Sequence, residues 1–525
     1  MLGVLAAVSL WVLALDLWQV LAHGRVWTGT DGVYLVDQMQ YLAWISDSSR
    51  HVLASNLFVL RDTPIDYLQP AVVLSGAISA LGVAPWVSLL LWKPVAVGGL
   101  FYATRGYVHR SLPGRGARRA ALVLGLFFAS FSVIYGSFGV VGDLFPGFLL
   151  WGYPFGVLAL AAMLLALLAY ERGRAAGRLV LAPALLGALA SSLHPWQGEV
   201  LILTVLGAEL HSWRRPEGSA RLALRAMAPG SAGRSARRAM LPGVRDSLSR
   251  RGMLPCLTVI VTAIPLAYYA VLGQTDLSWS LAREASKHSF SLLTIVLGLA
   301  PLGLVAAFGC RGRPPSFLVA ASRSWPIAAL AIYVISATGL SATPLHAFEG
   351  ITIPLAVLAV GAVRRAWHRR PRRRMLGWLA VGVATIPAAG YLLSSARSLV
   401  APMRENANFI TAPERDALRY LARSEQGGGV ITRFYLGSLV PGAAGRRTFV
   451  GDCLWSAPRC AARAKATRML LDGSLGPLAT RALVLWSGAR FVLADCESAA
   501  GLASLLRPVT RSVHRFGCAA VYAVD

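Results

Sequence analysis

Acidic residues are scarce in this 525-residue chain, which has 24 aspartates and glutamates against 51 lysines and arginines and a net charge of +27. Lysine is scarce too: only three of the basic residues are lysines, so the excess positive charge is almost all arginine. Charged residues make up 14% of the chain and apolar residues 56%, a balance that excludes an ordinary soluble protein of this length. The composition indicates a polytopic membrane protein.

Several motifs are also missing. The sequence has no G-x-G-x-x-G, no phosphate-binding P-loop and no Cys/His run with metal-ligand spacing, so nothing supports a nucleotide- or zinc-dependent enzyme. It has no D-x-D either, which leaves the need for a divalent metal ion open. The arginines fall in short segments between apolar runs and not on one soluble face, so we do not expect nucleic acid as a partner. The lack of a fixed-period repeat argues against an inverted-repeat transporter.

Apolar runs long enough to cross a bilayer occur eleven times, near 2–22, 84–104, 120–138, 152–170, 179–193, 196–210, 253–272, 291–309, 325–340, 350–363 and 375–395. The first run ends without a small-residue cleavage site, so we interpret it as a helix and not as a signal peptide. Arginine is concentrated in five of the connecting segments, which hold 28 of them: 105–119, 171–178, 211–251, 310–324 and 364–374. Alternating spans place all five segments on one side, which the positive-inside rule makes cytoplasmic. We therefore expect a multi-pass protein of the cell membrane.

The tail, residues 397–525, lacks long apolar runs and alternates shorter helix and strand patterns. Helices are predicted at PERDALRYLARS, APRCAARAKATRMLLDG and SAAGLASLLR, and strands at GGGVITRF, RRTFVGD, ARFVLADC and CAAVYAVD. The sequence thus predicts a transmembrane domain, 1–396, followed by a small extracytoplasmic α/β domain.

The cysteines support that placement. Four of the six lie in the tail, at Cys453, Cys460, Cys496 and Cys518, and disulfides persist in oxidising compartments. Four cysteines allow three pairings. We favour Cys453–Cys460 and Cys496–Cys518, because each joins neighbouring segments of a small domain, with free buried thiols as the alternative.

The tail also contains four characteristic sequence segments, which are FYLGSLVPGAAGRRTFVGD, WSAP, ARFVLADC and LLRPVTRSVHRFGCAAVYAVD. It resembles the extracytoplasmic C-terminal domain of bacterial membrane proteins of the GT-C glycosyltransferase superfamily. Those proteins often show a Trp-Thr-Pro-like turn, where this chain has Trp455-Ser456-Ala457-Pro458.

The first outer loop holds three of the scarce acids, in TDGVYLVDQMQYLAWISDSSRH (30–51). From Asp37 to Phe58 apolar residues recur at close to helical spacing, which predicts an amphipathic helix in the outer interface. A second short helix is predicted at 69–82. Asp47, which is followed by two serines and an arginine, is predicted to be a solvated surface residue.

This layout, with one helix, a long outer loop and many further spans, is similar to that of the GT-C glycosyltransferases. The resemblance implies that an aspartate of the first outer loop is the catalytic base and that the donor is a polyprenyl-phosphate-linked sugar. Asp37 is the first candidate and Asp31 the second; alternatively, both only cap a turn or a helix N-terminus. A carboxylate suits the role because the acceptor hydroxyl must lose its proton as positive charge develops on the sugar.

Other candidate substrate-binding residues lie in segments predicted on the same side. Asp143 could position the acceptor or a metal ion, or simply form a turn. His194 could contact a phosphate or a sugar hydroxyl, with Trp196 stacking on a sugar ring. His346 and Glu349 form a similar pair in LHAFEG.

Lys93 is the residue within the predicted spans whose transfer into the bilayer costs the most free energy. A charged residue in such a position indicates a functional site. Lys93 could bind the donor phosphate from within the bilayer, or form an ion pair with Asp16 of the first helix.

The sequence therefore predicts a membrane glycosyltransferase that transfers a sugar from a polyprenyl-phosphate donor to a cell-envelope glycan or lipid. Two alternatives stay open: a transporter or flippase of lipid-linked precursors, and an envelope scaffold without catalysis.

Overall fold

The computed structural model describes residues 1–32, 34–130, 144–213, 234–286, 292–337, 344–367, 371–400 and 405–525. Before the tail these residues are almost entirely helical. The helices are α1 Leu2–His23, α2 Leu35–His51, α3 Pro70–Ala80, α4 Pro85–Leu90, α5 Trp92–Ser111, α6 Arg115–Phe127, α7 Pro146–Leu149, α8 Pro154–Ala176, α9 Ala182–Leu193, α10 Pro195–Trp213, α11 Arg234–Thr275, α12 Leu277–Ala285, α13 Leu292–Gly309, α14 Phe317–Ala337, α15 Thr352–Trp367, α16 Pro371–Val383 and α17 Ile386–Val400. A 3₁₀ turn, Pro344–Phe348, precedes α15.

Eight helical segments among the described residues are long and apolar enough to cross a membrane: Leu2–His23, Pro85–Ser111, Pro154–Ala176, Gly252–Thr275, Leu292–Gly309, Phe317–Ser336, Leu345–Ala366 and Met375–Arg397. Each overlaps one of the eleven predicted runs. The run near 120–138 continues beyond α6 into residues outside the described ranges, and the runs near 179–193 and 196–210 correspond to α9 and α10, which are not among the eight. The fold class, a polytopic helical protein, is confirmed.

The arginine-bearing helix ends meet at one end of the bundle. Arg110 Nη1 lies 2.6 Å from the Glu171 carboxylate. Arg323 and Arg365 both donate to the Gly309 carbonyl, at 3.1 and 3.3 Å. The guanidinium of Arg174 lies 5.7 Å from the centroid of the Phe317 ring and links these two pairs of segments. Four of the five segments predicted to share a side therefore lie together, as that prediction requires.

Helix α2 forms the centre of the first outer loop. It begins two residues before the predicted start and ends at His51, where Val52 takes a positive φ of 71°. It packs against α3 on one side and against a tail helix on the other, so Met39, Trp44 and Ile45 are all buried. The polar face expected for an interfacial helix is largely covered, because the tail lies over it.

Asp47 contradicts its prediction as a solvated residue. It is 1% exposed, and its Oδ2 accepts hydrogen bonds from the backbone N–H and the hydroxyl of Ser55, at 2.8 and 2.7 Å. The carboxylate closes the turn that follows α2.

The tail is an α/β unit, as predicted. Its helices are α18 Ala412–Arg423, α19 Phe434–Ala444, α20 Cys460–Leu471, α21 Pro477–Ser487 and α22 Leu502–Leu506. Its sheet has the order β3-β4-β6-β5, formed by Val430–Ile431, Phe491–Ala494, Ala519–Val524 and Thr510–Phe516. Strand β3 runs parallel to β4, and the other pairs are antiparallel. The strand predicted at RRTFVGD is wrong: only Thr448 forms a β-bridge, with Val430.

Both favoured disulfides, Cys453–Cys460 and Cys496–Cys518, are present. Helix α18 begins with a capping box formed by Thr411 and Glu414.

The tail and the first loop are tied together by backbone contacts. Strand β1, Val26–Trp27, pairs antiparallel with β2, Phe409–Ile410. Asn56 donates to the Trp455 carbonyl at 2.9 Å, and the Ser456 hydroxyl donates to the Phe58 carbonyl at 2.8 Å. These bonds fix the WSAP turn against the first loop.

Candidate active site

A cavity of about 230 Å³ lies where the predicted outer segments meet. Its wall takes residues from α2, from the turn between α9 and α10, from α11 and α12, from the 3₁₀ turn and from the tail. All of these segments except α11 are ones that the arginine pattern places on the outer side. Their convergence on one cavity supports that arrangement.

Asp37 lies in the first turn of α2 and lines the cavity. A carboxylate in this position is stabilised by the positive end of the helix dipole. The helix also fixes its direction, because Gln40, Tyr41 and Trp44 of the same face line the same wall. The structure thus places the first-choice candidate base in the wall of the cavity.

Asp31 lies elsewhere. It is 2% exposed and forms an ion pair with Lys93, whose Nζ also donates to the Leu150 carbonyl at 3.1 Å. The Gln38 side chain accepts a hydrogen bond from the Asp31 backbone N–H at 2.8 Å and donates one to the Asp31 carbonyl at 2.6 Å. Asp31 and Lys93 line a separate small pocket and do not line the main cavity.

The Lys93 partner is therefore Asp31 and not Asp16. Asp16 is 1% exposed on α1, and its two carboxylate oxygens make no hydrogen bond with any described residue. Sequence reasoning anticipated a buried ion pair for Lys93 but not its partner, because the depth of Asp31 depends on how the first loop folds back.

His194, His346 and Glu349 form a buried cluster at one side of the cavity. His194 Nδ1 lies 3.5 Å from Glu349 Oε2, and His346 Nδ1 lies 3.1 Å from Glu349 Oε1. Gln197 donates to the Glu349 carboxylate at 2.8 Å, and the Tyr153 hydroxyl lies 2.9 Å from His194 Nε2. Three of the predicted substrate-binding residues are thus brought together.

Although the sequence has no run with metal-ligand spacing, the fold brings together in this cluster the ligand types of a metal site. Each of its three residues offers one ligand atom, and these atoms lie within 4.8 Å of one another. Two imidazoles and one carboxylate suit Zn²⁺, whereas Mg²⁺ and Ca²⁺ prefer oxygen ligands throughout. Burial, together with the nearby His346, lowers the pKa of His194 well below its usual range, which favours the neutral form of its ring.

Aromatic rings form a large part of the cavity wall. The centroid of the Trp44 ring lies 4.2 Å from that of Tyr67 and 5.3 Å from that of Trp455, and Trp279 lies 4.9 Å from Trp455. Trp196, the predicted stacking residue, lines the cavity beside His194, at 4.7 Å between ring centroids. Ring faces with nearby polar groups are suited to an amphipathic ligand such as a sugar.

Sequence reasoning missed several of these residues. Trp279 and Arg283 lie on α12, in the connection between the predicted runs 253–272 and 291–309, where no helix is predicted from the sequence although the apolar residues follow helical spacing. Tyr153 and Glu199 are also part of the wall. Trp455 was noted for its turn but not for the cavity. Asp143 lies outside the described residues.

Helix α11 separates the cavity from the apolar exterior of the bundle. Leu266, Ala270 and Gly273 line the cavity, whereas Ile260 and Ile264 on the opposite face are 63% and 61% exposed. The wall is therefore one helix thick at this point.

No family model and no curated protein matches the sequence. Solved structures match over its whole length. A structure of the arabinofuranosyltransferase AftD from Mycobacteria matches with a TM-score of 0.53 and 14% identity, covering 100% of this chain and 41% of AftD. The Archaeoglobus fulgidus oligosaccharyltransferase in its apo form matches with a TM-score of 0.49 and 13% identity. The oligosaccharyltransferase AglB of the same organism, in complex with an inhibitory peptide and a dolichol-phosphate, matches with a TM-score of 0.48 and 12% identity. Each match covers 100% of this chain and 74% of the other chain.

AftD and AglB are GT-C glycosyltransferases. The likeness to AftD shows that this chain shares the fold of that glycosyltransferase.

Proposed function

We propose that this protein is a membrane glycosyltransferase, which transfers a sugar from a polyprenyl-phosphate carrier to a cell-envelope glycan or lipid on the outer face of the membrane. One observation carries the proposal: Asp37 lies in the wall of a cavity built by the outer segments and the tail. The GT-C fold and the aromatic wall support it. A transporter would need a path through the bundle, whereas this cavity takes its residues from one end.

In the proposed reaction an acceptor hydroxyl attacks the anomeric carbon of the donor sugar. The bond from that carbon to the phosphate oxygen breaks, and the phosphate leaves with the electron pair. Asp37 takes the proton of the attacking hydroxyl as positive charge develops on the sugar. Trp44, Trp279 and Trp455 hold the sugar rings and exclude water from the reacting atoms.

His194, His346 and Glu349 would hold a divalent metal ion, with Zn²⁺ favoured by the ligand types. A bound cation would supply positive charge at this side of the cavity. Tyr153 would orient the His194 ring through its second nitrogen. Purified protein should then contain about one zinc ion per chain, measured by elemental analysis. His346→Ala should lose this zinc and the exposed-site control His51→Ala should keep it.

The test of the proposed function is Asp37→Asn, assayed in membranes with a polyprenyl-phosphate-linked sugar and a cell-envelope acceptor. Loss of a general base should lower the rate of transfer about 10²- to 10⁴-fold. Asp62→Asn is the matched control, because Asp62 lies in the same loop with a fully exposed side chain outside the cavity. Folded protein should be recovered equally from both variants. Undiminished transfer by Asp37→Asn would remove Asp37 from the mechanism.

A further inference from the structure

Helix α12 presents one regular face to the cavity. Trp279, Ala282, Arg283 and Ser286 line the wall, at the spacing of one face of a helix. The helix is fixed at its start by Asp276, whose side chain accepts a hydrogen bond from the Ser278 N–H at 2.6 Å. Arg283 therefore projects over the same wall as the Trp279 ring, one helical turn further on.

Arg283 has no partner among the described residues. Its Nε is buried and makes no hydrogen bond, and no ion pair among these residues includes its guanidinium. A Cβ placed at Gly273 would lie 3.8 Å from Arg283 Nη1, and no other side chain of the described residues, its two chain neighbours apart, lies within 4 Å of that point. The guanidinium thus lies beside the end of α11.

Arg283 is half-buried, and two more deeply buried cations of the described structure show the usual pairing. Lys93 bonds Asp31, and Arg433 bonds Asp495 and Asp472 at 2.6 and 2.8 Å. A buried charge without a partner is costly. Among the described residues that line the cavity, Arg283 is the only lysine or arginine. Its surroundings are therefore those of a site that receives its anion from a ligand.

The position next to α11 indicates the source of that anion. The wall there is one helix thick, and the outer face of α11 is apolar and exposed. A headgroup that reaches over the end of α11 can meet Arg283 while its hydrocarbon chain stays in the bilayer. The planar guanidinium can bind two phosphate oxygens at once.

We propose that Arg283 binds the phosphate of the lipid-linked donor, with the Trp279 ring against the group next to that phosphate. This inference rests on the proposed function and adds the residue that binds the donor charge. Sequence reasoning had offered Lys93 for that role, but the charge of Lys93 is already matched by Asp31.

The experiment measures binding to the purified full-length chain in detergent, by calorimetry, with farnesyl phosphate, farnesol and inorganic phosphate as probes. Wild-type protein should bind farnesyl phosphate more tightly than either of the others, and added salt should weaken this binding without affecting farnesol. Arg283→Met should weaken binding of farnesyl phosphate about 10- to 100-fold, the loss expected for a charge-assisted bond. The affinity of Arg283→Lys for farnesyl phosphate should lie between those of wild-type protein and Arg283→Met. Arg481→Met, at an exposed tail arginine, removes the same charge outside the cavity and should bind like wild type.

Equal binding of farnesol and farnesyl phosphate by wild-type protein would overturn the inference without any variant, as would undiminished binding by folded Arg283→Met. If inorganic phosphate binds as tightly as farnesyl phosphate, the conclusion that the bound phosphate belongs to a lipid is wrong. The two proposals fail separately. If farnesyl phosphate binding depends on Arg283 but Asp37→Asn still transfers sugar, the donor site stands and the proposed catalytic role fails. If Asp37→Asn abolishes transfer but Arg283→Met binds normally, only the present inference fails.

Discussion

Asp452 shows how a single buried acid can support the cavity. It is 1% exposed and lies directly before the disulfide-bonded turn that carries Trp455. Its Oδ1 accepts the backbone N–H groups of Leu454 and Trp455, at 2.8 and 3.4 Å, and its Oδ2 makes no hydrogen bond with a described residue. Burial raises the pKa of Asp452 to about 7; the Leu454 hydrogen bond opposes this shift, and the charge of Asp37 adds to it.

The raised pKa makes a prediction about stability. The folded chain keeps a proton on Asp452 up to a pH of about 7, whereas an unfolded aspartate loses it near pH ~4. The free energy of unfolding should therefore fall between these two values, by up to about 1.4 kcal/mol per pH unit. Asp452→Asn cannot ionise, so the melting temperature of wild-type protein should fall relative to that of the variant between pH 5 and pH 7.5. Parallel melting profiles would contradict the assignment, and Asp62→Asn serves as the exposed control.

Lys93 and Asp31 give a second prediction at this scale. Lys93→Met leaves the buried Asp31 charge without its partner, which should cost about 3–5 kcal/mol in the free energy of unfolding. Lys93→Met combined with Asp31→Asn should recover much of that loss, because both charges are then absent. Denaturant titration in detergent measures both. A Lys93→Met protein of normal stability that no longer binds the donor would instead indicate that Lys93 binds the donor phosphate.

At the scale of elements, the cavity depends on the short segment between Cys453 and Cys460. The disulfide closes this segment into a loop, and Trp455 lies inside it with its carbonyl bound by Asn56 at 2.9 Å. The loop therefore connects the tail to the aromatic wall and to the first outer loop at once.

Replacing Cys453 and Cys460 by serine should lower the free energy of unfolding by about 2 kcal/mol, as estimated for a loop this short. It should also lower transfer, because Trp455 is freed to leave the wall. Cys496 and Cys518 provide the matched control, since neither lines the cavity. Their replacement should destabilise the tail and leave the transfer rate of the folded protein unchanged. Equal effects of the two pairs on transfer would argue against a positioning role for the first.

How far the sequence predicts these features depends on the range of the interactions. The eight long spans follow from local hydropathy, and the two disulfides follow from short separations along the chain. The burial of Asp47, the pairing of Lys93 with Asp31 and the inward direction of Arg283 depend on contacts between distant segments. Asp37 could be selected because few acids compete with it. Arg283 could not, because it is one of many arginines.

At the scale of the whole molecule, the two ends of the bundle differ in chemistry. Four arginine-bearing segments meet at one end, and the cavity and the disulfide-bonded tail lie at the other. Cys310 is free and exposed, between Gly309 and Arg311 of the arginine end. Native cysteines thus mark both ends.

These cysteines test the orientation. In intact cells, a membrane-impermeant maleimide should not label Cys310 of a Cys256→Ser variant, but should label it after the membrane is opened. The tail cysteines should become reactive from outside only after reductant is added. Labelling of Cys310 in intact cells would invert the topology and place the cavity on the cytoplasmic side.

The thinness of the wall at α11 has a kinetic meaning. A carrier whose headgroup passes over the end of one helix never has to leave the lipid phase, so it arrives and departs by diffusion within a surface. Its supply is then set by its density per unit area of membrane, whereas the second substrate comes from the adjoining water. Turnover at low carrier density should accordingly depend on the lipid-to-protein ratio of reconstituted vesicles and not on the volume in which they are suspended.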